Sequence, residues 1–386
     1  MNMAEESKVA TAVDPDLGFI AMLKKSGGDT LKKCMQCSNC SVACPLSPDS
    51  KPFPRKEMIW AQWGLRDKLA ANPDVWMCHQ CNDCSLYCPR GARPGDVLAA
   101  IRNLAIGENA FPKFLGKIVA EKKYLPLIFA IPAVLFLLIL GATGHLGIPE
   151  GEVVYSKLLP ILYVDSVFVP TALLMVLFAA KGIMQFWRSL EQADAKLGRK
   201  RYFMPPLPDF IKMYIIPVLS DILTHVRFQK CGASKERFTA HLGIFYGFVG
   251  LFIVTNVVMV LHYIFHIDTP FSMIGPIKLL ANFSAIILFI GMTLVIRNRL
   301  ANPDDPGTSR SSYFDWSLIW VIYAVTITGI LSEVLRLADI AVIAYPMYFV
   351  HLLCVFCLFI YLPYSKLAHL LYRTTAMVYA KYTGRE

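Results

Sequence analysis

The sequence predicts an all-α chain in two parts, a polar cysteine-bearing head and a bundle of six membrane-crossing helices. Three observations carry this. Composition shifts near residue 112: the chain is mixed and polar before it and dominated by apolar runs after it. The 386 residues are therefore 55% apolar overall, with a mean hydropathy of +0.48, where ordinary soluble domains hold about 45–50% apolar residues. Six runs approach the roughly 20 apolar residues that cross a hydrocarbon core. Strand-like alternation of apolar and polar residues is scarce throughout. The expected boundaries are 1–112 for the head and 113–386 for the bundle.

The head carries one pattern twice, C-x2-C-x2-C-x3-C-P. The first copy is Cys34, Cys37, Cys40 and Cys44 before Pro45, and the second is Cys78, Cys81, Cys84 and Cys88 before Pro89. Soft thiolates at this spacing suit iron–sulfide cubes, three of them wrapping three corners of one cube. The fourth cysteine of each run crosses to the other cube in two-cluster ferredoxins. Cys34, Cys37, Cys40 and Cys88 are thus assigned to one [4Fe-4S] cluster, and Cys78, Cys81, Cys84 and Cys44 to the second. Zinc is the competing reading, in a membrane structural or sensor protein, but zinc sites pair two C-x2-C units across a longer spacer. A disulfide framework is weaker. The opening MNMAEESKVATAVDPDLG has no apolar stretch of the secretory kind, so reduced thiolates on the cytoplasmic side are expected.

Between the cysteine runs, EMIWAQWGLRDKLA reads as a short helix with Ile59, Trp60, Trp63 and Leu65 apolar. After Cys88, GARPGDVLAAIRNLAIG reads as a second, with Pro94 and Asp96 near its start and Gly107 past its end. Trp60, Trp63 and Trp76 are expected to pack the core or shield a cluster. The linker then brings Lys113, Lys117, Lys122 and Lys123 to the first span.

The six expected spans are 125–144, 166–187, 242–264, 277–296, 316–334 and 341–363. Residues 205–223 are too short and proline-rich to cross and read as interfacial. The net charge of +10 gathers beside the spans: Lys181, Arg188, Lys196, Arg199, Lys200, Arg201, Lys212, Arg227, Lys230, Lys235 and Arg237 surround the second inter-span loop. Arg297 and Arg299 close the fourth span, and Arg373, Lys381 and Arg385 follow the sixth. Glu150, Glu152, Asp268 and Asp339 mark the other side. This bias places both termini and the head on the cytoplasmic side of the inner membrane. It also accounts for the charge without nucleic acid, for which no binding fold is present.

Ionisable groups within a bilayer are rare and functional by default. His351 and His369 stand eighteen residues apart, five turns of a continuous helix, on one face and roughly 27 Å apart. That suits axial imidazoles for two stacked b-type haems. The facing ligands come from the third span, with His241 pairing His369 and His262 pairing His351. His241 and His262 are separated by roughly 31 Å and about 60° of azimuth. His225 and His266 are alternative haem or quinone residues. A membrane cytochrome coupled to clusters exchanges electrons with a lipid-soluble quinone. Glu333 and Arg336 are the proton-transfer candidates, against the plainer reading of an i, i+3 ion pair. Cys354 and Cys357 resemble a redox pair, though a buried membrane thiol is more often inert. No nucleotide-binding glycine loop, nucleophile elbow or zincin motif appears, so flavin belongs to another subunit.

CMQCSNCSVACP and CHQCNDCSLYCP resemble the C subunit of heterodisulfide reductase and related helical ferredoxin domains. HLGIFYGFVGLF and the His351/His369 spacing resemble the cytochrome b subunits of the nitrate reductase gamma and heterodisulfide reductase E type. The fusion resembles the C subunit of the quinone-interacting membrane-bound oxidoreductases of sulfate reducers. The resemblance implies two [4Fe-4S] clusters, two haem b, menaquinone as substrate, and two soluble flavin- and iron–sulfur-containing partner subunits. Electrons would pass between the quinone pool and adenylylsulfate reductase. One departure stands out: the nitrate reductase pattern has a second histidine where this chain has Leu251, and His262 is its substitute. The alternative reading is a quinone-linked anchor of another respiratory dehydrogenase.

Overall fold

The computed structural model describes residues 14–196, 202–232, 235–301, 305, 308–309 and 312–385. The first thirteen residues, Arg199, Lys200 and Arg201, and the side chain of Lys235 lie outside the described residues. Among the described residues the chain is all helix and turn, with no strand, as the pattern predicts.

Short helices of the head wrap a core of Leu23, Met58, Leu69, Trp76, Leu98 and Ile101, all essentially inaccessible. The predicted helix after the first cysteine run is two, Arg55–Gln62 and Arg66–Ala70. They break at Gly64, which takes φ +68° while its Cα faces the Asp16 backbone; a Cβ there would stand 2.8 Å from Asp16 N and O. Only glycine meets both demands. The helix after Cys88 runs Pro94–Asn109, so Gly107 lies within it rather than past its end. Trp76 is fully buried, and Trp60 is half-buried with Lys56 and Lys68 over its ring at 5.2 and 5.7 Å. Trp63 is 49% exposed, so it neither packs the core nor shields the cysteines.

Among the described residues, six helices are long and apolar enough to cross a membrane. They are Leu125–Ala142, Ile161–Lys196, Lys235–Tyr263, Pro276–Ala301, Tyr313–Leu337 and Ala341–Ile360. The second, with 36 residues, reaches about 54 Å at 1.5 Å per residue, well beyond a hydrocarbon core of about 30 Å. Its surplus carries Phe186 and Leu190 to the core of the head and Asp194 to Arg385 near the C-terminus. Residues Leu207–Thr224 form short helical pieces beside the bundle. The third and fourth spans pack closely because Gly243, Gly247 and Gly250 share one helical face. A Cβ on Gly247 would come within 2.8 Å of the Ser284 carbonyl and the Leu288 Cβ. In lipid, where apolar burial does not discriminate helix from lipid, such close backbone approach is what holds helices together.

The last element departs from expectation. The sixth span stops at Ile360, and two 3₁₀ turns, Leu362–Tyr364 and Lys366–Ala368, precede a separate helix, His369–Tyr382. Pro363 lacks the N–H a continuing helix needs, and the Ser365 hydroxyl accepts from the Leu367 N–H at 3.2 Å. The five-turn argument that set His351 and His369 on one face assumed an unbroken helix, and that helix does not exist.

This last helix docks on the head. Tyr372 stacks on Trp76 at 5.6 Å, and Phe186 meets both rings edge-on. Arg385 bridges Asp74 of the head (3.3 Å) and Asp194 of the second span (3.0 Å), while the Tyr379 hydroxyl donates to Asp194 at 2.8 Å. The head therefore sits at the end of the bundle where the second span leaves and the third begins.

Candidate functional site

Each cysteine run curls through two residues in the left-handed region at matching places, Gln36 and Ser38 in the first and Gln80 and Asn82 in the second. Non-glycine residues enter this region seldom, asparagine more readily than most. Cys34, Cys37, Cys40 and Cys88 line one hollow together with Arg55 and Arg90. Burial pushes the Cys40 thiol up to about 11, with Cys34, Cys37 and then Cys88 adding to it. Cys44 goes with the other run: burial first and Cys78 second push it up to about 12. Cys84 is driven well upward by burial, then by Cys78, Cys81 and Cys44. The fourth cysteine of each run thus stands beside the first three of the other.

Thiols so buried and crowded ionise only against a compensating positive charge, which bound iron supplies. Among the described residues, no three His, Cys, Asp or Glu side chains converge on one point, as a tetrahedral zinc with bonds near 2.3 Å requires. The donor set fits a larger body than a single ion.

The two sets of cysteines differ in setting. Cys37 is exposed and Cys34 and Cys88 half-buried, whereas Cys78, Cys81 and Cys84 are all buried. The second run is covered from the bundle side. Arg373 donates to the Cys78 carbonyl, Arg237 to the Gln80 carbonyl, and the Gly232 N–H to Asp83 at 3.1 Å. From the head, Arg102 donates to the carbonyls of Val75 (2.8 Å) and Cys78 (3.3 Å). His79 accepts from Arg373 at 3.3 Å. Burial, then Arg373, Arg227 and Arg102, hold its pKa well below the ordinary value, so the ring is neutral. Cys231, which showed no partner pattern in the sequence, packs against Cys81 and Phe228. Its hydrogen bond is the main reason the Cys81 thiol lies below its usual range.

Four histidines gather at this junction. His225 Nε2 stands 3.1 Å from His241 Nδ1. His369 Nδ1 donates to the Lys366 carbonyl at 2.6 Å, which leaves Nε2 open. A backbone carbonyl on the second nitrogen is how proteins orient a metal-ligating imidazole. Burial, then Arg373, pushes His369 down to about 3, and His241 contributes to the same shift. His241, His369 and His79 are thus near neighbours.

The far end of the bundle is arranged differently. His351 Nδ1 lies 3.1 Å from the Thr328 hydroxyl, its ring against Gly329, where a Cβ would meet Cε1 at 3.0 Å. His262 Nδ1 pairs with Asp268 at 2.6 Å. The two expected partners therefore have separate attachments. His266 sits in an exposed turn at φ +54°. Glu333 is held on both oxygens, by Lys278 at 2.7 Å and Arg336 at 3.0 Å. The ion-pair reading anticipated Arg336 but not Lys278, a lysine two residues inside the fourth span. A carboxylate with both oxygens taken by cations is a poor proton carrier. Cys357 directs its thiol to the Ile128 carbonyl at 3.6 Å rather than to Cys354.

Residues 30–92 match the family described as 4Fe-4S dicluster domain, and residues 155–386 match the family described as citrate utilization protein B. Among curated proteins, the chain is 34% identical over 104 residues to the C subunit of the H(2):CoB-CoM heterodisulfide, ferredoxin reductase of Methanothermobacter marburgensis. The match covers 27% of this chain and 56% of that protein. The corresponding subunit of Methanothermobacter thermautotrophicus matches at the same identity and coverage. A protein of Archaeoglobus profundus that is itself described as like the heterodisulfide reductase C subunit is 32% identical over 90 residues, 23% of this chain and 48% of that protein. The chain spans about half the length of these relatives. No solved structure matches it.

Proposed function

The chain belongs to the citrate utilization protein B family, whose pattern covers residues 155–386, and from this membership and its head, which is similar to the heterodisulfide reductase C subunit, we propose that it is the membrane electron-transfer subunit of a multi-subunit oxidoreductase. It passes electrons between the menaquinone pool and soluble flavin- and iron–sulfur-containing partners, with adenylylsulfate reductase as the onward partner in sulfate respiration. The observation that carries the reading is the placement of the second cysteine run. Its buried loop is held by Arg373, Arg237 and Gly232 of the bundle, with His79 of the loop beside His241.

In this reading Cys34, Cys37, Cys40 and Cys88 hold the outer [4Fe-4S] cluster, next to the exposed rim where a soluble partner docks. Cys78, Cys81, Cys84 and Cys44 hold the inner one. His241 and His369 would hold the nearer haem b, with His225 orienting His241. His351 and His262 serve the far haem. Bound iron in both forms supplies one-electron chemistry. Iron would keep the thiols deprotonated against their burial, while the protein buries Cys78, Cys81 and Cys84 and surrounds their loop with arginines. Those cations favour the reduced, more negative state. Both termini and the head lie on the cytoplasmic side of the inner membrane, where the basic loops gather.

The experiment is spectroscopy on the purified full-length protein. Two cluster signals by electron paramagnetic resonance and b-type reduced-minus-oxidised bands are expected, both reduced on adding menaquinol. Zinc without iron, or a well-folded colourless preparation, overturns the reading.

One observation favours a second reading. The family name refers to citrate utilization, which points to a quinone-linked anchor for a soluble dehydrogenase of tricarboxylate metabolism. A single flavoprotein dehydrogenase co-purifying with the chain selects this reading; two flavin- and iron–sulfur-containing subunits select the first.

A further inference from the structure

The two cysteine runs are one pattern written twice, so positions correspond: Met35 with His79, Ser38 with Asn82, Asn39 with Asp83, Val42 with Leu86. The bundle covers the second copy. His79 stacks on Phe228 at 5.7 Å, Asn82 meets Ser309 at 3.4 Å, and Asp83 accepts from the Gly232 N–H at 3.1 Å. Among the described residues the first copy has no such cover. Its hydrogen bonds stay within the head, from Gln62 to the Cys34 carbonyl at 2.9 Å and from the Arg55 N–H to the Ser41 hydroxyl at 3.2 Å. Met35 is 62% exposed and Val42 85%. The short helices Asn39–Val42 and Asp83–Leu86 pack together, which sets the exposed Leu86 and Tyr87 beside Val42. The charges around this apolar face are positive. Arg55 and Arg90 line the hollow of the four cysteines, and Lys32 and Lys33 lead into the run; all four are exposed. Among the described residues none of these four side chains has an ion-pair partner. Asp49 is the one acidic residue in 30–55, and 84–95 has none. A bare apolar face with a polar rim marks a contact site. A second copy of this chain would set like charges against one another across a twofold axis.

We propose that this face docks a soluble electron carrier whose surface is acidic around its own redox centre. Apolar residues of the carrier seat on Met35, Val42, Leu86 and Tyr87, and its carboxylates meet Lys32, Lys33, Arg55 and Arg90. The inference rests on the electron-transfer reading above and gives the soluble partner a charge and a footprint. The first run then gains from another protein the cover that the second run has from the bundle. The two kinds of residue act at different stages. Rim cations attract the carrier before contact and set how fast the two meet, while the apolar residues act after contact and set how long they stay.

The test uses the full-length protein with its iron, in phosphatidylcholine nanodiscs, and a reduced flavodoxin of acidic surface as probe. Each flavodoxin gives up one electron and a cluster takes it, read as bleaching of the cluster absorbance in a stopped-flow. The second-order rate is expected to fall about tenfold from low to high salt. Arg55→Glu with Arg90→Glu is expected to slow it about tenfold at low salt and to converge with wild type at high salt. Lys32→Glu with Lys33→Glu, outside the cysteine hollow, is expected to do the same if the first pair fails to hold iron. Val42→Ser with Tyr87→Ser is expected to raise the half-saturating flavodoxin concentration severalfold and keep the salt dependence. Lys113→Glu with Lys117→Glu makes the same charge change on exposed positions of the helix that leads into the bundle and is expected to leave the rate unchanged. Iron content and melting temperature equal to wild type show that each variant folds. A rate that rises with salt overturns the proposal, as does equal slowing by the rim pairs and the Lys113/Lys117 pair. Dimers in solution that Val42→Ser with Tyr87→Ser dissolves overturn it in favour of a second copy. So does iron that dithionite bleaches and flavodoxin does not at any salt concentration. Iron that neither reductant bleaches overturns the electron-transfer reading itself, a result distinguishable from these.

Discussion

Arg373, one turn after His369, donates a guanidinium hydrogen bond to the backbone carbonyl of Cys78. A single helical turn thus joins a candidate haem ligand to the loop of a candidate cluster. Reduction adds negative charge to that loop, and the cation beside it favours the reduced state. Arg373→Gln is expected to lower the midpoint potential of the inner cluster by on the order of 60 mV, the one-electron equivalent of a tenfold change. A redox titration followed by electron paramagnetic resonance reads it, with the outer cluster unmoved.

Crossed ligation makes an asymmetric prediction. Cys88→Ser should disturb the cluster that also depends on Cys34, Cys37 and Cys40. Cys44→Ser should disturb the one that depends on Cys78, Cys81 and Cys84. Iron analysis with spectra of the remaining cluster checks this. If Cys44→Ser instead matches Cys34→Ser, each run closes its own cluster.

The histidines separate in the same way. His369→Ala and His241→Ala should remove the same b-type absorbance, and His351→Ala a different one. Haem-to-protein ratios in the three variants measure this. His262→Ala is the sharper case, because His262 is bound to Asp268 and His351 to Thr328. Equal haem loss in His262→Ala and His351→Ala is expected if the pair closes around a haem.

Arg385 is the structural rivet between head and bundle. Its removal leaves Asp74 and Asp194, both buried, without their shared cation. Asp74 keeps Lys56 at 2.7 Å and Asp194 keeps the Tyr379 hydroxyl at 2.8 Å, so the cost falls below the about 3–5 kcal/mol of a buried charge left wholly unpaired. Arg385→Met should therefore loosen the head, seen as faster proteolysis of residues 14–112 and a lower melting temperature.

Close packing of the third and fourth spans gives a further test. Gly247→Leu forces the backbones apart, and overpacking of this kind costs about 1–3 kcal/mol. The variant should melt earlier while its cysteine runs still bind iron.

Much of this architecture can be read from the chain alone, for definite physical reasons. A bilayer demands about twenty apolar residues per crossing, so the spans stand out. Thiolates at C-x2-C-x2-C-x3-C have few other uses. Where prediction stopped, the missing information was three-dimensional. Gly64 splits a helix because the Asp16 backbone lies against it. Cys231 meets Cys81 across 150 residues of chain. Lys278 reaches Glu333 from a different span. The break at Pro363 was visible as a residue, but only the packing of Tyr372 on Trp76 explains where the chain goes next. The glycines at 243, 247 and 250 were legible as a motif, and their role as a seam required the facing helix.

The turn at Pro363 has a practical consequence for anyone who would cut or recombine this molecule. A boundary drawn at residue 112 severs the head from a support it borrows from the opposite end of the chain, residues 369–385. A transplanted head would need those residues supplied with it, and a bundle stripped of its head would leave Tyr372 without Trp76 and Arg385 without Asp74. Inheritance of the two halves as one reading frame keeps that shared helix and its seat together.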